Sequence, residues 1–316
     1  MRLYGKYGLS RSPQRAVFDS LVFGAAYAIT YLPQVVDRWL VWVTMLGYRS
    51  ILRRKVRVVA AKMGAALGGP GDTPARWMEI SLAYWRMRVE THWMRAREMH
   101  RRAPTVTITL EGIEHLEDAL ERGRGAIVWR MFFCSSHVPM RALAEAGYPL
   151  VHLSHWDHGN RGLNWPGLRV FAPMYLKAEV RYLSERVVLP QNESLDYLRR
   201  LVARLEENHA VSIFGNIQGR SPVSAEILGV KRLLASGAPS LARKTGAPLL
   251  TMRARRVARD HYVVTIDPPI GVDARLGRRA FTESAVAEYA RRVEAAVREH
   301  PESWYRWATY TDHRDA

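Results

Sequence analysis

EGIEHLEDALERGRGAIV, residues 111–128, continued by WRMFFCSSH, residues 129–137, reads as helix, tight turn, buried strand and then a loop. Ile113, Leu116 and Leu120 recur at helical spacing, Gly123 and Gly125 supply the turn, and residues 126–129 make a short apolar strand. A loop in that position lies at the carboxyl end of a strand, where open α/β sheets place ligands. Residues 132–137 are therefore where chemistry is expected.

Outward from this unit the pattern repeats. Strands are predicted at 106–110, 150–153, 210–214, 249–253 and 261–266, and helices at 137–146, 194–207, 240–245 and 283–299. In the 194–207 helix, Leu195, Leu198, Leu201, Val202 and Leu205 are expected to face inward. The alternation predicts an α/β fold, a mostly parallel central sheet flanked by helices, preceded by an N-terminal membrane-proximal helical segment. The division falls near Pro104, giving a helical, membrane-associating segment at 1–103 and an α/β unit at 104–316.

In the N-terminal segment, Thr73 is a predicted helix cap with Pro74 at the first position. The stripe Trp77, Ile80, Tyr84, Met87, Thr91 and Met94 follows, flanked by Arg76, Arg86, Arg88, Arg95 and Arg97. Such a stripe reads as core, or in part as an acyl groove whose Arg face meets phosphates. Further upstream, the apolar run 20–36 is interrupted by Pro33 and closed by Asp37-Arg38 before 39–48 resumes. A spanning helix needs about 20 uninterrupted apolar residues. A bent helix pair lying in one leaflet is expected instead, with Arg and Lys on both flanks pointing to the cytoplasmic face.

The chain has 316 residues, 47 basic against 30 acidic, for a net charge of +17. That balance suits anionic lipid, an acidic carrier protein or nucleic acid. Nucleic acid is disfavoured because no helix-turn-helix, zinc-finger or RNP pattern occurs, and the aromatic and Arg run at 304–314 reads as packing. A single cysteine, Cys134, precludes an internal disulfide. It reads as a buried thiol or as the nucleophile of a Cys–His pair.

Several stretches resemble, in order, the lysophospholipid acyltransferase-like proteins, in particular the lipid A biosynthesis lauroyl/myristoyl acyltransferases. They are Gly112, Glu114-His115-Leu116, Gly123-Arg124-Gly125-Ala126-Ile127, Ala144 to Leu150, Leu241 to Leu249 and His300 to Trp307. The resemblance spans about residues 100–310. It implies acyl transfer from acyl carrier protein or coenzyme A to a hydroxyl or amine of a lipid-like acceptor at the inner membrane. No cofactor beyond the thioester co-substrate is implied. It also implies a His-x4-Asp/Glu motif whose His is the general base. Ungapped counting puts the family His on Phe132 and the family acid on His137. A phenyl ring accepts no proton, so two readings stay open. Either the chemistry is rebuilt around His137, or the chain is a catalytically inactive binder of an acyl chain, lipid or carrier protein.

For the first reading the expected catalytic residues are His137 with Asp157 or His155 as partner, and Ser135 or Ser136 capping the helix. Arg130, Cys134, Ser135, Ser136, Asn216, Gln218, Gly219 and Arg220 are expected to contact substrate, with the 216–219 loop stabilising an oxyanion. Arg161, Arg169 and Arg181 are further candidates for phosphate contacts. His152, His155, Asp157 and His158 offer metal donors, but adjacent donors suit a metal poorly, and no metal is expected.

Overall fold

The computed structural model describes residues 24, 27–100, 105–135, 137–155, 172–190, 194–215, 221–273 and 275–310. Helices α1 (Val35–Arg49), α2 (Arg53–Leu67) and α3 (Pro74–Glu98) come first. Pro33 lies two residues before α1, just ahead of its cap Gln34, so the predicted break is present; residues 20–23, 25 and 26 lie outside the described part. No helix among the described residues is long and apolar enough to cross a membrane. Thr73 caps α3 through its hydroxyl, which accepts from the Arg76 N–H at 3.3 Å, and Pro74 takes the first position. The stripe of α3 is buried at Trp77, Tyr84, Met87, Thr91 and Met94, while Ile80 is half-buried.

The remaining elements alternate: β1 (Thr107–Glu111), α4 (Ile113–Glu121), β2 (Ala126–Arg130), α5 (His137–Glu145), β3 (Leu150–His155), α6 (Ala172–Val180), β4 (Leu183–Leu189), α7 (Asp196–Glu206) and β5 (Ala210–Phe214). A hairpin of β6 (Pro222–Ile227) and β7 (Val230–Ala235) follows, then α8 (Gly237–Thr245), β8 (Leu249–Ala258), β9 (His261–Ile266) and α9 (Arg278–Glu299). Two short helical turns, Pro301–Ser303 and Trp307–Thr309, close the described chain.

The main sheet has seven strands in the order β1-β9-β8-β2-β5-β3-β4. Strands β8, β2, β5, β3 and β4 are mutually parallel; β9 runs antiparallel to β8, and β1 pairs parallel with β9. The fold is thus α/β with a mostly parallel central sheet between helices. Strand β2 is buried at every position, as expected of a central parallel strand covered on both faces. Its entry depends on Gly125, which has φ +63 and packs so tightly that a Cβ would meet the carbonyls of His209 and Leu205.

One buried cluster runs from Val59 in α2 to Tyr310, so α2 and α3 pack on the same core as the sheet. Three elements were not expected from the sequence: α6, β4 and the β6–β7 hairpin. One inward assignment also differs. Leu195 precedes α7 as its cap and is 52% exposed, whereas Leu201 and Leu205 are fully buried.

Candidate functional site

Strands β2, β5 and β3 are neighbours, and β2 and β5 end in register at Arg130 and Phe214. Topology therefore brings the carboxyl ends of these strands, Arg130, Phe214 and His155, to one edge of the sheet. The sequence-predicted site residues come from these ends and the stretches that follow them in the chain. Ser136, Asp157, His158, Arg161, Arg169, Asn216, Gln218, Gly219 and Arg220 lie outside the described residues.

The segment after β2 is tied to the C-terminal turns. The Cys134 N–H donates to the Ser303 carbonyl at 2.8 Å, the Tyr305 N–H donates to the Phe132 carbonyl at 3.1 Å, and Phe133 forms a bridge with Trp304. Backbone hydrogen bonds of this kind fix the loop without using its side chains. Phe132 is left half-buried, with ring centroids 5.2 Å from Phe214 and 5.9 Å from Tyr305. Tyr305 is in turn covered by the Arg88 guanidinium, 4.1 Å from its centroid.

His137 begins α5, and its backbone N–H donates to the Ser135 hydroxyl at 3.3 Å, a bond made from one residue before the N-cap position, which lies outside the described residues. The His137 side chain is 2% exposed. Cys134 and Ser135 are buried as well, beneath the turn rather than on its surface. Burial pushes the Cys134 thiol up to about 12, so a nucleophilic thiolate is disfavoured. Cys134 also has φ +44, a left-handed backbone that its Ser303 hydrogen bond helps to hold.

Arg130 is 1% exposed, with its guanidinium 4.1 Å from the Phe214 centroid. Burial pulls its pKa down to about 10, and the Glu179 carboxylate of α6 acts in the opposite direction. The Arg130 carbonyl accepts from the Gly215 N–H at 2.9 Å and from the Tyr289 hydroxyl at 3.1 Å. Gly215 is required here, because a Cβ would overlap the Tyr289 hydroxyl. His155 ends β3 half-buried, its carbonyl accepting from Arg186 at 3.0 Å. His152 is buried, with Nδ1 3.2 Å from both the carbonyl and the hydroxyl of Ser212. Arg181 donates to the His100 carbonyl at 2.8 Å. Among the described residues, no group of three His, Cys, Asp or Glu side chains is placed to hold a metal.

The sequence reading missed His92. It sits on α3 with its side chain exposed, yet desolvation, followed by Arg95 and Arg88, holds its pKa down to about 4.

Among curated proteins, none matches this chain. Among solved structures, it is similar to the 1-acyl-sn-glycerophosphate (LPA) acyltransferase PlsC from Thermotoga maritima, with 14% identity, 86% of this chain and 97% of that chain covered, and a TM-score of 0.37. The family model of bacterial lipid A biosynthesis acyltransferases matches residues 78–308. That range runs from α3 through the whole sheet to the Trp307 turn, and on it the chain belongs to the bacterial lipid A biosynthesis acyltransferase family.

Proposed function

We propose that the protein transfers a fatty acyl chain from acyl carrier protein or coenzyme A to a hydroxyl or amine of a lipid-like acceptor, at the cytoplasmic face of the inner membrane. The observation that carries this reading is the family match over the full sheet, together with the convergence of the β2, β5 and β3 ends on one edge. His137 is the candidate base, with Asp157 or His155 as partner. Its burial keeps bulk water from the imidazole, so the acceptor reaches it only after a local rearrangement around His137.

Peripheral membrane contact is supported by α1. Val35, Trp39, Trp42, Val43 and Leu46 are exposed on it, at 39–61% of their surface. Arg38, Arg49, Arg53, Arg54, Lys55 and Arg57 are exposed around them. The one acid from 35 to 71, Asp37, is buried in an ion pair with Arg97 at 2.5 Å. An apolar aromatic stripe rimmed only by cations suits an anionic bilayer surface.

One observation favours the second reading, a binder without turnover. Phe132, on which ungapped counting places the family's base, is engaged by Phe214, Tyr305 and Arg306. The deciding experiment incubates the purified protein and phospholipid vesicles with radiolabelled acyl-carrier protein or acyl-coenzyme A. Label appearing in extracted lipid supports transfer; retained donor binding with no labelled lipid supports the binder.

A further inference from the structure

Arg88, His92 and Arg95 follow one another at i, i+4 and i+7 on α3, so they share a face. Aromatic rings from elsewhere in the chain enclose that face. The Arg88 guanidinium donates to the Tyr84 hydroxyl at 2.8 Å and lies over Tyr305, while the Arg95 guanidinium lies 4.7 Å from the centroid of Tyr175 in α6. Tyr305 is close enough to Tyr175 to raise the pKa of the Tyr175 phenol, and Tyr305 touches Phe132. The face thus adjoins the carboxyl edge of the sheet.

Its positive charge is not balanced locally. Glu90 is taken by Arg86 and Arg256, at 3.2 and 2.7 Å, and Glu98 by Arg141 and the Tyr182 hydroxyl, at 3.3 and 2.7 Å. Among the described residues, no carboxylate pairs with Arg88 or Arg95, and the Arg95 Nε is buried without a hydrogen-bond partner. The other groups nearby are phenols: Tyr305, and Tyr48, Tyr84 and Tyr175, whose pKa values burial raises, so that they stay neutral below pH 9. His92 lies between the two guanidinium groups, reached by water but hemmed in by protein.

We propose that Arg88, His92 and Arg95 form a binding site for a phosphate-type anion, with the two guanidinium groups as fixed charges and His92 as a proton-accepting third contact. The site takes the phosphomonoester of a lipid or free phosphate, and it does not depend on acyl transfer taking place. Burial is the larger cause that keeps His92 neutral, and an anion seated between the arginines offsets the other, their charge. Binding therefore takes up a proton at His92 and tightens as pH falls from 7 toward 5.

The test follows the His92 ring by NMR, assigned through His92→Gln, while pH is varied. One arm adds inorganic phosphate and the other adds neutral phosphatidylcholine vesicles doped with phosphatidic acid. The site predicts that the His92 midpoint rises by about one unit or more on saturation, and that Arg95→Gln weakens binding about tenfold. A shift in both arms assigns the site to phosphate itself, and a shift in the vesicle arm alone assigns it to lipid-borne phosphate. Arg95→Gln without ligand should itself raise the midpoint, which shows that the variant folds and that the neighbouring charge has gone. An unmoved midpoint in both arms, or an equal shift in Arg95→Gln, overturns the proposal. Acyl transfer is scored separately, so failure here leaves that reading standing.

Discussion

The guanidinium carbon of Arg306 lies 4.8 Å from the centroid of the Phe132 ring, the residue on which ungapped counting of the sequence places the family's general base. Arg306 is largely desolvated, and burial lowers its own pKa. A cation facing a ring makes a favourable contact with the π cloud. The same cation beside an imidazole would hold that imidazole neutral.

Phe132→His therefore tests whether this position can carry a general base. The new ring would lie among Phe214, Tyr305 and Arg306. It would be neutral at pH 7 and able to accept a proton. General-base catalysis contributes about 10²–10⁴-fold, so transfer measured with labelled acyl donor should rise at least about tenfold above wild type. No rise with donor binding intact would mean that the acceptor does not reach this position.

Cys134 should be inert. With its thiol pKa raised to about 12, only about one molecule in ten thousand is thiolate at pH 8. Maleimide should label the native protein far more slowly than the urea-unfolded protein, as followed by mass spectrometry. Rapid native labelling would show that the turn over Cys134 opens readily without substrate.

The buried pair Arg97–Asp37 joins α3 to α1, and Arg97 also donates to the carbonyls of Thr30 and Leu32, each at 2.9 Å. Arg97→Met leaves the Asp37 carboxylate buried and uncompensated, which costs about 3–5 kcal/mol. Thermal unfolding should shift down markedly, and the double change Arg97→Met with Asp37→Leu should recover much of the loss. Equal instability of the double variant would mean that the carbonyl contacts, not the ion pair, hold α1.

Trp39→Ala with Trp42→Ala should leave stability nearly unchanged, since both indoles are about 60% exposed. Burial of apolar surface is worth about 25 cal/mol per Å². Losing two indoles should therefore lower partition into anionic vesicles about tenfold or more in a flotation assay. Unchanged flotation would remove α1 from membrane contact.

Much of the fold was legible because local signals agreed with tertiary demand. Thr73-Pro74 announced the start of α3, and the mostly apolar runs at 126–130 and 210–214, broken only by Arg130 and Ser212, announced buried parallel strands. The missed elements lacked such agreement. Strand β4 alternates weakly because it is an edge strand with half-buried positions, and α6 carries Pro173 in its first turn. The β6–β7 hairpin turns at Leu228-Gly229 with positive φ at both residues, and Leu228 is not a residue that signals such a turn. Leu195 looked inward by periodicity, but the helix begins after it.

The site was legible only as segments. That the strand ends at 130, 155 and 214 would converge follows from the β2-β5-β3 adjacency, which no local pattern specifies. His92 was hidden for a related reason. The stripe at 77–94 marks the opposite side of α3 as a solvated face, and only Tyr175 and Tyr305, distant in sequence, turn that face into an enclosed one.

The most direct measurement is a single-turnover assay in which lipid from vesicles containing the protein and an acyl donor is analysed by mass spectrometry, for wild type and His137→Gln in parallel. The account predicts an acylated lipid with wild type and a loss of at least about 100-fold in the folded variant. An acylated product formed equally by both, or no product from wild type while the acyl donor stays bound, would contradict it.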